Sequence, residues 1–554
     1  MTAPLMAQYS PSRRSPSLPA SLKRIGIGPL LREILARRPC HIVADASLPL
    51  SKLEHHSKLA GAHQAASILW DHICSQKNIL ILADYDADGA TSTCVAMTAL
   101  LKAGAKVRYL IPDRVEHGYG LTPDIAHIAC NPPDTDATPK PDLIITVDNG
   151  VSAHAGVAYC NQQGVNVLIT DHHLCPPTLP DALLVVNPNQ PSCSYPSKAM
   201  AGCGVIFMVM WALLDIIREQ TGTEPYSLND LLPFVAIGTV ADVVSMDLNN
   251  RILVNAGLNL IRQNQCTAGI TALAHAAGVP LHAMERLTTT HIGFGIGPRI
   301  NAAGRLESMS IGVRTLLCTD PASAAVLVER LSDINQDRKM TESDVVEHIL
   351  LQIHQQQLPH HLDNLPHTLV FSDPSWHQGI IGIAAGRLKE RFYRPTFVFY
   401  GPFTDSNGTP VYKGSGRSIP GLHLRDALDA VHRLCPQALL KYGGHAAAAG
   451  ATIHAHFFED FKQHFEDFAR KNLSPQQLQC TITFDGEAPA VEMGRYTSVL
   501  EMLQYPWGQN FAPPLFMGSF LVLKQHLIGR DRNHLLLDLK DPRSGKRYSA
   551  IWFK

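Results

Sequence analysis

Residues 78–89 read NILILADYDADG, an apolar run followed by three aspartates at alternate positions and then a glycine. The apolar run has the length and composition of a strand that is buried on both faces. Three carboxylates this close together repel one another strongly unless cations neutralise them. An EF-hand loop also begins D-x-D-x-D-G, but it follows a helix and needs glutamate at its twelfth position, where this chain has Val95. The stretch therefore predicts a buried strand that leads into a cation site of another kind.

Further apolar runs of the same length alternate with helical patterns. We expect strands at 78–83, 106–111, 142–147, 166–170 and 182–187, with a helix over 90–103. Strand–helix–strand units of this size imply a mostly parallel sheet that is covered on both faces. The most apolar run, 201–214, stops at Asp215 and is shorter than the ~20 residues that a membrane span needs, so it predicts a buried core helix.

After this first α/β region, the pattern of predicted secondary structure changes three times along the chain. Residues 226–355 have mainly helical patterns and end in a long connecting helix near 331–357, a second α/β pattern follows from 367, and alternating strands beyond 472 suggest a small barrel. These patterns predict five regions: a basic, disordered arm and lead-in (1–45), an α/β core (46–250), a helical segment with the connecting helix (251–355), a second α/β domain (356–470) and a β-barrel domain (471–554).

The charge balance limits the kinds of partner. The 554 residues carry 47 basic and 48 acidic side chains, a net charge of −1. Any site for a polyanion must therefore be a local concentration of arginine and lysine.

The twelve cysteines include no C-x-x-C pair, which indicates buried thiols in a reducing compartment. Because the basic N-terminus has several prolines and no apolar signal core, we expect a cytoplasmic protein.

Two other predicted strands end in polar groups of the same sort. One runs into Asp148 and another into Asp171, His172 and His173, while Asp242 lies in the otherwise apolar stretch GTVADVV. Ligands of parallel sheets bind beyond the carboxyl ends of the strands, so the strand-end groups should converge. Taken singly, each aspartate would more often cap a helix. Together they indicate a cation site, and oxygen and imidazole ligands without thiolates suit Mg²⁺ or Mn²⁺.

The ordered motifs DYDADG, VDNG, DHH and GTVADVV resemble the DHH phosphoesterase superfamily, and specifically its single-strand-specific 5′→3′ DNA exonucleases, from about residue 45 to the C-terminus. Further matching motifs are IPDR (111–114), GYG (118–120), GPRINAAGR (297–305), WHQG (376–379), GRS (416–418) and GGHA (443–446). The resemblance implies a multidomain α/β fold: a parallel-sheet DHH core, a DHH-associated α/β domain joined by a long helix, and a C-terminal OB-like barrel. Some family members continue beyond Lys554, so the barrel is expected to be incomplete, to close differently or to belong to a shorter form of the chain.

The resemblance also implies a catalytic centre. Two divalent cations, Mn²⁺ or Mg²⁺, would be bound with Asp148 as the bridge; their ligands would be Asp84, Asp86, Asp88, Asp148, His172 and Asp242. His173 would contact the scissile phosphate and Asp171 would orient the histidines, so that the catalytic set is Asp148, Asp171, His172 and His173. Residues expected to contact the nucleic acid are Arg114, Arg299, Asn301, Arg305, Arg417, Ser418, Gly444 and His445, with Arg114 and Arg417 for a 5′-phosphate. Trp376 could stack a base or belong to the core.

The implied activity is hydrolysis of single-stranded DNA to 5′-mononucleotides by two-metal activation of water, in recombination and repair. By the same resemblance, the enzyme would act as a monomer with a single-strand-binding protein and a RecQ-type helicase. One alternative is a phosphodiesterase for very short oligoribonucleotides or cyclic dinucleotides, which a preference for long DNA strands would exclude. Another is a non-catalytic DNA-binding scaffold, which should have lost some of the metal-binding carboxylates.

Overall fold

In the computed structural model of the chain, residues 78–83 form an inner strand of a five-stranded sheet. The structure describes residues 5–9, 27–38, 47–113, 120–132, 139–355, 365–405, 408–487, 496–529, 532 and 534–553. They form two units. The first comprises Met1–Met6, Ser47–Cys480 and Gln504–Ala512, and the second comprises Ala7–Ala46, Thr481–Leu503 and Pro513–Lys554.

Numbered along the chain, the strands are β1 (Leu5–Tyr9), β2 (Asn78–Ala83), β3 (Lys106–Leu110), β4 (Leu143–Val147), β5 (Asn166–Thr170), β6 (Leu184–Val186), β7 (Leu369–Asp373), β8 (Thr396–Thr404), β9 (Pro410–Arg417), β10 (Leu439–Gly444), β11 (Ala448–His454), β12 (Cys480–Phe484), β13 (Leu521–Ile528), β14 (His534–Lys540) and β15 (Arg547–Trp552). The described helices of eight or more residues are α1 (Pro29–Ala36), α2 (Ala62–Cys74), α3 (Ala87–Lys102), α4 (Pro123–Cys130), α5 (His154–Gln162), α6 (Gly202–Thr221), α7 (Leu232–Ala241), α8 (Leu248–Arg262), α9 (Ala268–Ala276), α10 (Gly297–Leu306), α11 (Ser310–Leu317), α12 (Pro321–Gln355), α13 (Ile381–Phe392), α14 (Leu424–Leu434), α15 (Phe458–Asn472) and α16 (Tyr496–Gln504).

The first sheet has the strand order β3-β2-β4-β5-β6 and is parallel throughout, as the alternating pattern predicts. All five residues of β4 are buried, because helices cover both faces of the sheet. Helix α3 follows β2 and packs against α6 and α7. Helix α6 is the buried core helix expected from the apolar run, and it extends through Asp215 to Thr221.

Helices α7 to α12 connect the two sheets of the first unit. The connecting helix α12 begins at Pro321, ten residues before the expected start at 331. The second sheet has the order β10-β11-β9-β8-β7, in which only β7 and β8 run parallel. Its core includes Phe397, Phe399, Phe461 and Phe465, which pack between β8 and α15.

In the second unit, β13, β14 and β15 form an antiparallel sheet, and β12 pairs with β1.

The N-terminal segment 1–45 was expected to be a disordered arm, and this expectation is wrong for the part of it that the structure describes, residues 5–9 and 27–38. Helix α1 buries Leu30, Leu31, Ile34 and Leu35, which recur with helical spacing, and Gly28 before it donates its backbone N–H to the Glu501 carboxylate at 2.7 Å. The strand β1 also lies in this segment. Among the described residues of both units, no helix is both long and apolar enough to cross a membrane.

Candidate metal centre and nucleic-acid interface

The carboxyl ends of three adjacent strands carry the acidic groups found in the sequence. Ala83 of β2 pairs with Val147 of β4, and Val147 pairs with Thr170 of β5. The next residues along the chain, Asp84, Asp148 and Asp171, therefore leave the sheet side by side. Only 6%, 2% and 1% of their respective surfaces is exposed, so the sheet edge concentrates carboxylates away from water.

The DYDADG loop connects β2 to α3 and uses its aspartates in different ways. Asp86 caps α3, because its Oδ1 accepts the backbone N–H groups of Asp88 and Gly89 at 3.0 Å each. The Asp88 carboxylate points instead to the start of α6, where it accepts N–H groups from Gly202 at 2.6 Å and Cys203 at 3.0 Å. The positive end of α6 thus stabilises a carboxylate that is 1% exposed.

Two groups of potential metal ligands meet in this centre. Asp84, Asp86 and Asp148 form one group, Asp88, His172 and Asp242 form the other, and the ligand atoms of each group lie within 4.8 Å of one another. Asp148 also connects the groups, because its Oδ1 lies 3.0 Å from His172 Nε2. The same nitrogen lies 3.5 Å from Asp242 Oδ2 and 4.0 Å from Asp88 Oδ2. All six residues predicted as metal ligands therefore come together at the end of the sheet.

The electrostatics of this cluster favour cation binding. Burial raises the pKa of Asp148 well above its usual range, and repulsion from Asp88, Asp86, Asp242 and Asp84 adds to the effect. Burial and the neighbouring carboxylates raise the pKa of Asp242 in the same way. Burial lowers the pKa of His172, which keeps its imidazole neutral and able to donate a lone pair.

The donor atoms also fit a hard divalent cation. Asp148 Oδ1 and His172 Nε2 are buried, and neither makes a hydrogen bond in the described structure. Buried polar atoms without partners are rare in proteins, and here they face each other. Five carboxylates and one imidazole match the ligand preference of Mg²⁺ and Mn²⁺.

The backbone around Asp148 is constrained so that this side chain lies close to α6. Asp148 has a φ of 62°, in the left-handed region that few residues other than glycine adopt, and its N–H donates to Thr170 O at 3.1 Å. A side chain at Gly202 would place its Cβ 2.7 Å from Asp148 Cβ. Glycine at the first position of α6 therefore allows the helix to approach the metal centre.

Asp171 holds the two histidines that follow it. Its Oδ1 accepts the N–H groups of His172 and His173 at 2.7 and 3.0 Å and lies 2.7 Å from His173 Nδ1, while its Oδ2 accepts Val151 N–H at 2.9 Å. Although burial opposes the change, these hydrogen bonds lower the pKa of Asp171. The pKa of His173 is raised against the effect of its own burial, because the Asp171 carboxylate stabilises the imidazolium. Asp171 thus favours a positively charged His173.

A cleft of about 520 Å³ lies beside this pair, between the parallel-sheet core and the second α/β domain. His173 and Asp171 line it from the core, the first residues of α4 and α5 line another part, and His445 comes from the second domain. Burial is the main cause that lowers the pKa of His445, followed by repulsion from His173. The structure therefore brings His445 to the metal centre from a position 272 residues later in the chain.

The GPRINAAGR segment forms α10 and supports the DYDADG loop. A Cβ at Gly304 would lie 1.8 Å from Tyr85 O, so glycine is required for this contact. Asn301 Oδ1 accepts Ala87 N–H at 2.8 Å, which satisfies a donor at the start of α3. The carbonyl oxygen of Asn301 thus makes a structural hydrogen bond, and the expected contact of Asn301 with nucleic acid stays a prediction.

Arg299 is hydrogen-bonded within the protein, and its expected contact with nucleic acid stays a prediction. It donates to Ser332 Oγ at 3.1 Å, Gly295 O at 2.9 Å and Ala276 O at 2.7 Å, and these protein groups occupy all three of its nitrogens. Arg305 Nη1 donates to Gly379 O at 3.1 Å and so joins α10 to the WHQG segment. Arg114 lies outside the described residues.

Arg417 lies at the end of β9, near the start of α13. Its Nη1 donates to Ser415 Oγ at 3.0 Å, and a Cβ at Gly382 would lie 2.9 Å from that oxygen and 3.2 Å from Arg417 Nη2. Ser415 was missed by the motif analysis, although residues two apart in a strand share a face. Ser418 instead donates to Leu422 O at 2.8 Å and stabilises a turn.

The GRS and GGHA motifs lie partly in strands, since Gly416 and Arg417 end β9 and Gly444 ends β10, with a φ of 138° at Gly444. Trp376 is 3% exposed within an apolar cluster, and its indole N–H donates to His348 Nδ1 at 3.2 Å. Trp376 is therefore a core residue and does not stack a base.

Three family profiles match the chain. They are the DHH family, N-terminal domain (residues 78–239), the DHHA1 domain (366–471) and the RecJ OB domain (485–554). The first profile covers the DYDADG, VDNG and DHH motifs, and the second covers the segment with Arg417 and His445.

Characterised proteins and solved structures resemble the chain over most of its length. The single-stranded-DNA-specific exonuclease RecJ of Salmonella typhimurium is 40% identical over 542 residues, which are 97% of this chain and 90% of that protein. The crystal structure of Thermus thermophilus RecJ with Mn²⁺ is 29% identical, has a TM-score of 0.73 and covers 99% of this chain and 73% of that one. The structure of the same protein with Mg²⁺ is 25% identical, has a TM-score of 0.67 and covers 99% and 77%.

Proposed function

The chain belongs to the RecJ family of single-stranded-DNA-specific exonucleases, and we propose that it degrades single strands from the 5′ end and releases 5′-mononucleotides. The observation that carries this proposal is the pair of ligand groups that share Asp148 beside a cleft containing His173 and His445. A centre of this kind suits in-line hydrolysis of a phosphodiester, and a cleft between two domains suits a flexible strand.

The metal-dependent step would be divided among the side chains of the centre. Asp84 and Asp86 would hold one Mn²⁺ or Mg²⁺, Asp88, His172 and Asp242 would hold the other, and Asp148 would contact both. When bound, such a pair of ions activates the attacking water and neutralises charge on the phosphate. The N–H groups of Gly202 and Cys203 fix the Asp88 carboxylate before any ion arrives.

His173 would bind the scissile phosphate as an imidazolium. Its bond to Asp171 orients the ring and stabilises the positive charge, and the ring faces the cleft. A charged hydrogen bond to a phosphate oxygen is stronger than a neutral one. Asp171 acts through His173 and is thus a positioning residue.

The direction of digestion would come from a site for the 5′ end. Arg417, Ser415 and the start of α13 form a place where a guanidinium, a hydroxyl and the positive end of a helix meet. A 5′-phosphate held there would place the first linkage at the metal centre. We include Arg114 in this site by resemblance, and we assign Arg305 to the neighbouring strand path because it borders Gly379.

The wider biological role is also a proposal. We infer that the enzyme acts in the cytoplasm in DNA recombination and repair, on strands produced by a RecQ-type helicase and bound by a single-strand-binding protein. We infer that it works as a monomer, since all six metal-binding side chains come from one chain. The division at 45, 250, 355 and 470 remains our proposal for its functional regions, supported by the order of the three matching profiles.

The proposal is tested with a 5′-phosphorylated single strand labelled at its 3′ end, with Mn²⁺ or Mg²⁺, and with chelator and Asp148→Ala as controls. Stepwise shortening that retains the label, spares blunt duplex and stops in both controls is the expected result. Immediate release of the 3′ label as a mononucleotide would show that digestion starts at the 3′ end, which contradicts the proposed direction. Cleavage confined to dinucleotides, or binding without cleavage under either metal, would contradict the proposed substrate and reaction.

A further inference from the structure

Three side chains outside the catalytic centre converge where residues 55–56 pack on α6. His55, His56 and Asp215 each offer one ligand atom, and these atoms lie within 4.8 Å of one another. Asp215 follows Gly202 by thirteen residues on α6, so at 1.5 Å per residue the cluster lies about 20 Å along the helix from the end that holds Asp88. It is therefore separate from the metal centre described above.

His56 is the buried member of this cluster. It is 5% exposed, and its Nε2 lies 2.8 Å from Asp215 Oδ2. Burial is the main cause that lowers the pKa of His56, and repulsion from His55 and His63 acts in the same direction against the effect of Asp215. His56 Nε2 and Asp215 Oδ2 therefore meet at a place that is largely shielded from water.

His55 approaches the same point from the exposed side. Its ring centroid lies 4.1 Å from that of His56. Both imidazoles make T-shaped contacts with the Trp211 ring, at centroid distances of 4.8 Å for His55 and 5.3 Å for His56. Nδ1 of His55 lies 2.9 Å from Ser57 Oγ and also accepts the backbone N–H of Ser57 at 3.2 Å. Binding a metal through Nε2 would move the ring proton to Nδ1, where Ser57 Oγ can accept it in exchange for the bond from Ser57 N–H. The contacts with Ser57 fix the orientation of the His55 ring.

Asp215 supplies the negative charge. Its Oδ1 lies 3.0 Å from Arg218 Nη1, and Arg218 also donates to Glu224 Oε1 at 2.8 Å. The arginine charge is therefore shared between two carboxylates, and Oδ2 of Asp215 remains directed at the histidines. One carboxylate oxygen and two imidazole nitrogens thus lie within 4.8 Å of one another.

We propose that His55, His56 and Asp215 form a second metal site, of the Zn²⁺ class, that joins residues 55–58 to α6. Two imidazoles and one carboxylate with an open fourth position are a frequent ligand set of zinc. Imidazole ligands favour Zn²⁺ over Mg²⁺, whereas the carboxylate-rich catalytic centre favours Mg²⁺ and Mn²⁺. The chain would thus carry two kinds of metal site with different preferences.

The test compares the full-length wild-type protein with His55→Gln, which changes an exposed ligand, and with His63→Gln, an exposed histidine outside the cluster. Metal-free samples are titrated with Zn²⁺ in excess Mg²⁺, which keeps the catalytic centre filled. Bound zinc is then measured after gel filtration. We expect the wild type and His63→Gln to retain one more Zn²⁺ per chain than His55→Gln. Zinc should raise the unfolding temperature of the wild type and of His63→Gln, but not that of His55→Gln.

Trp211 supplies an independent measurement, because Co²⁺ at this site would quench its fluorescence. The quenching should be lost in His55→Gln, in Asp215→Asn and in Trp211→Phe, and kept in His63→Gln. Equal zinc retention and equal quenching in the wild type and His55→Gln would overturn the proposal. Loss of zinc in His63→Gln would overturn the ligand set. Exonuclease activity is not a readout, so failure here is distinguishable from failure of the proposed nuclease function.

Discussion

Oδ1 of Asp148 lies 3.0 Å from Nε2 of His172, and within the described part of the chain neither atom makes a hydrogen bond. Two buried polar atoms at this distance would normally share a proton, and the raised pKa of the carboxyl and the lowered pKa of the imidazole show that charge separation between them is unfavourable. A divalent cation between the ligand groups satisfies both atoms. Such a cation would also offset the repulsion among the buried carboxylates.

Replacing Asp148 with asparagine should remove the group that connects the two ligand sets. We expect exonuclease activity to fall by about 1000-fold, because several kcal/mol of transition-state stabilisation depend on the bound ions. The assay is digestion of 3′-labelled single-stranded DNA at saturating Mn²⁺. Asp181→Asn, an exposed carboxylate of the same unit, should retain near wild-type activity, and a similar loss in both variants would count against a specific role for Asp148.

The metal-free protein should lose stability as the pH rises. Burial and mutual repulsion raise the pKa values of Asp148 and Asp242, so the folded state keeps protons that the unfolded chain releases near pH 4. Since the unfolded state then binds fewer protons, the free energy of unfolding falls as the pH rises through the raised pKa values. Urea unfolding in chelator should show this slope, Asp148→Asn should make it shallower, and Mn²⁺ should reverse it. An identical slope in the wild type and the variant would contradict the prediction.

Replacing Asp171 with asparagine should impair His173 without removing a metal ligand. The amide cannot stabilise the imidazolium, so the pKa of His173 should fall and kcat/KM should decrease by about 10- to 100-fold. A suitable control is Asp142→Asn, because Asp142 also accepts a backbone N–H, from Asn78 at 2.7 Å, but lies at the opposite end of β4. Equal decreases in both variants would indicate general damage to the sheet.

Replacing Arg417 with alanine should weaken recognition of the 5′ end. We expect kcat/KM on 5′-phosphorylated strands to fall by roughly 10- to 100-fold, in keeping with loss of a hydrogen bond to a charged group, and to change less on 5′-hydroxyl strands. Ser418→Ala is the matched control, because its hydroxyl bonds to Leu422 O and not to Arg417. If Arg417→Ala affects both kinds of strand equally, the guanidinium does not select the 5′-phosphate.

Local sequence patterns were sufficient to predict the parallel sheet. Strands β2, β4 and β5 are mainly apolar segments of five or six residues, and the burial of such a segment depends on its own composition. Because parallel strands end at one edge of a sheet, the same patterns predicted that Asp84, Asp148 and Asp171 would converge. The disordered arm was a wrong prediction for α1, since four apolar residues at helical spacing are buried there, although a basic, proline-rich segment precedes them in the sequence.

The roles of the polar side chains downstream depended on contacts that no local pattern contains. Arg299 and Asn301 occupy a motif that resembles a nucleic-acid contact. In the structure they bond to protein groups, namely the Ser332 hydroxyl and backbone groups of Ala276, Gly295 and Ala87. An arginine can donate to a phosphate or to a carbonyl with the same atoms, and only the positions of distant segments decide between them.

The sequence by itself determined which strands form and which carboxylates lie at their ends, because strand formation follows from short apolar runs. Only the tertiary structure decided that Gly202 and Cys203 bind Asp88 and that His445 faces His173 across a cleft. The physical reason is the short range of the interactions that hold these residues together. Hydrogen bonds and electrostatic shifts act over a few ångströms between residues that are more than a hundred positions apart in the chain.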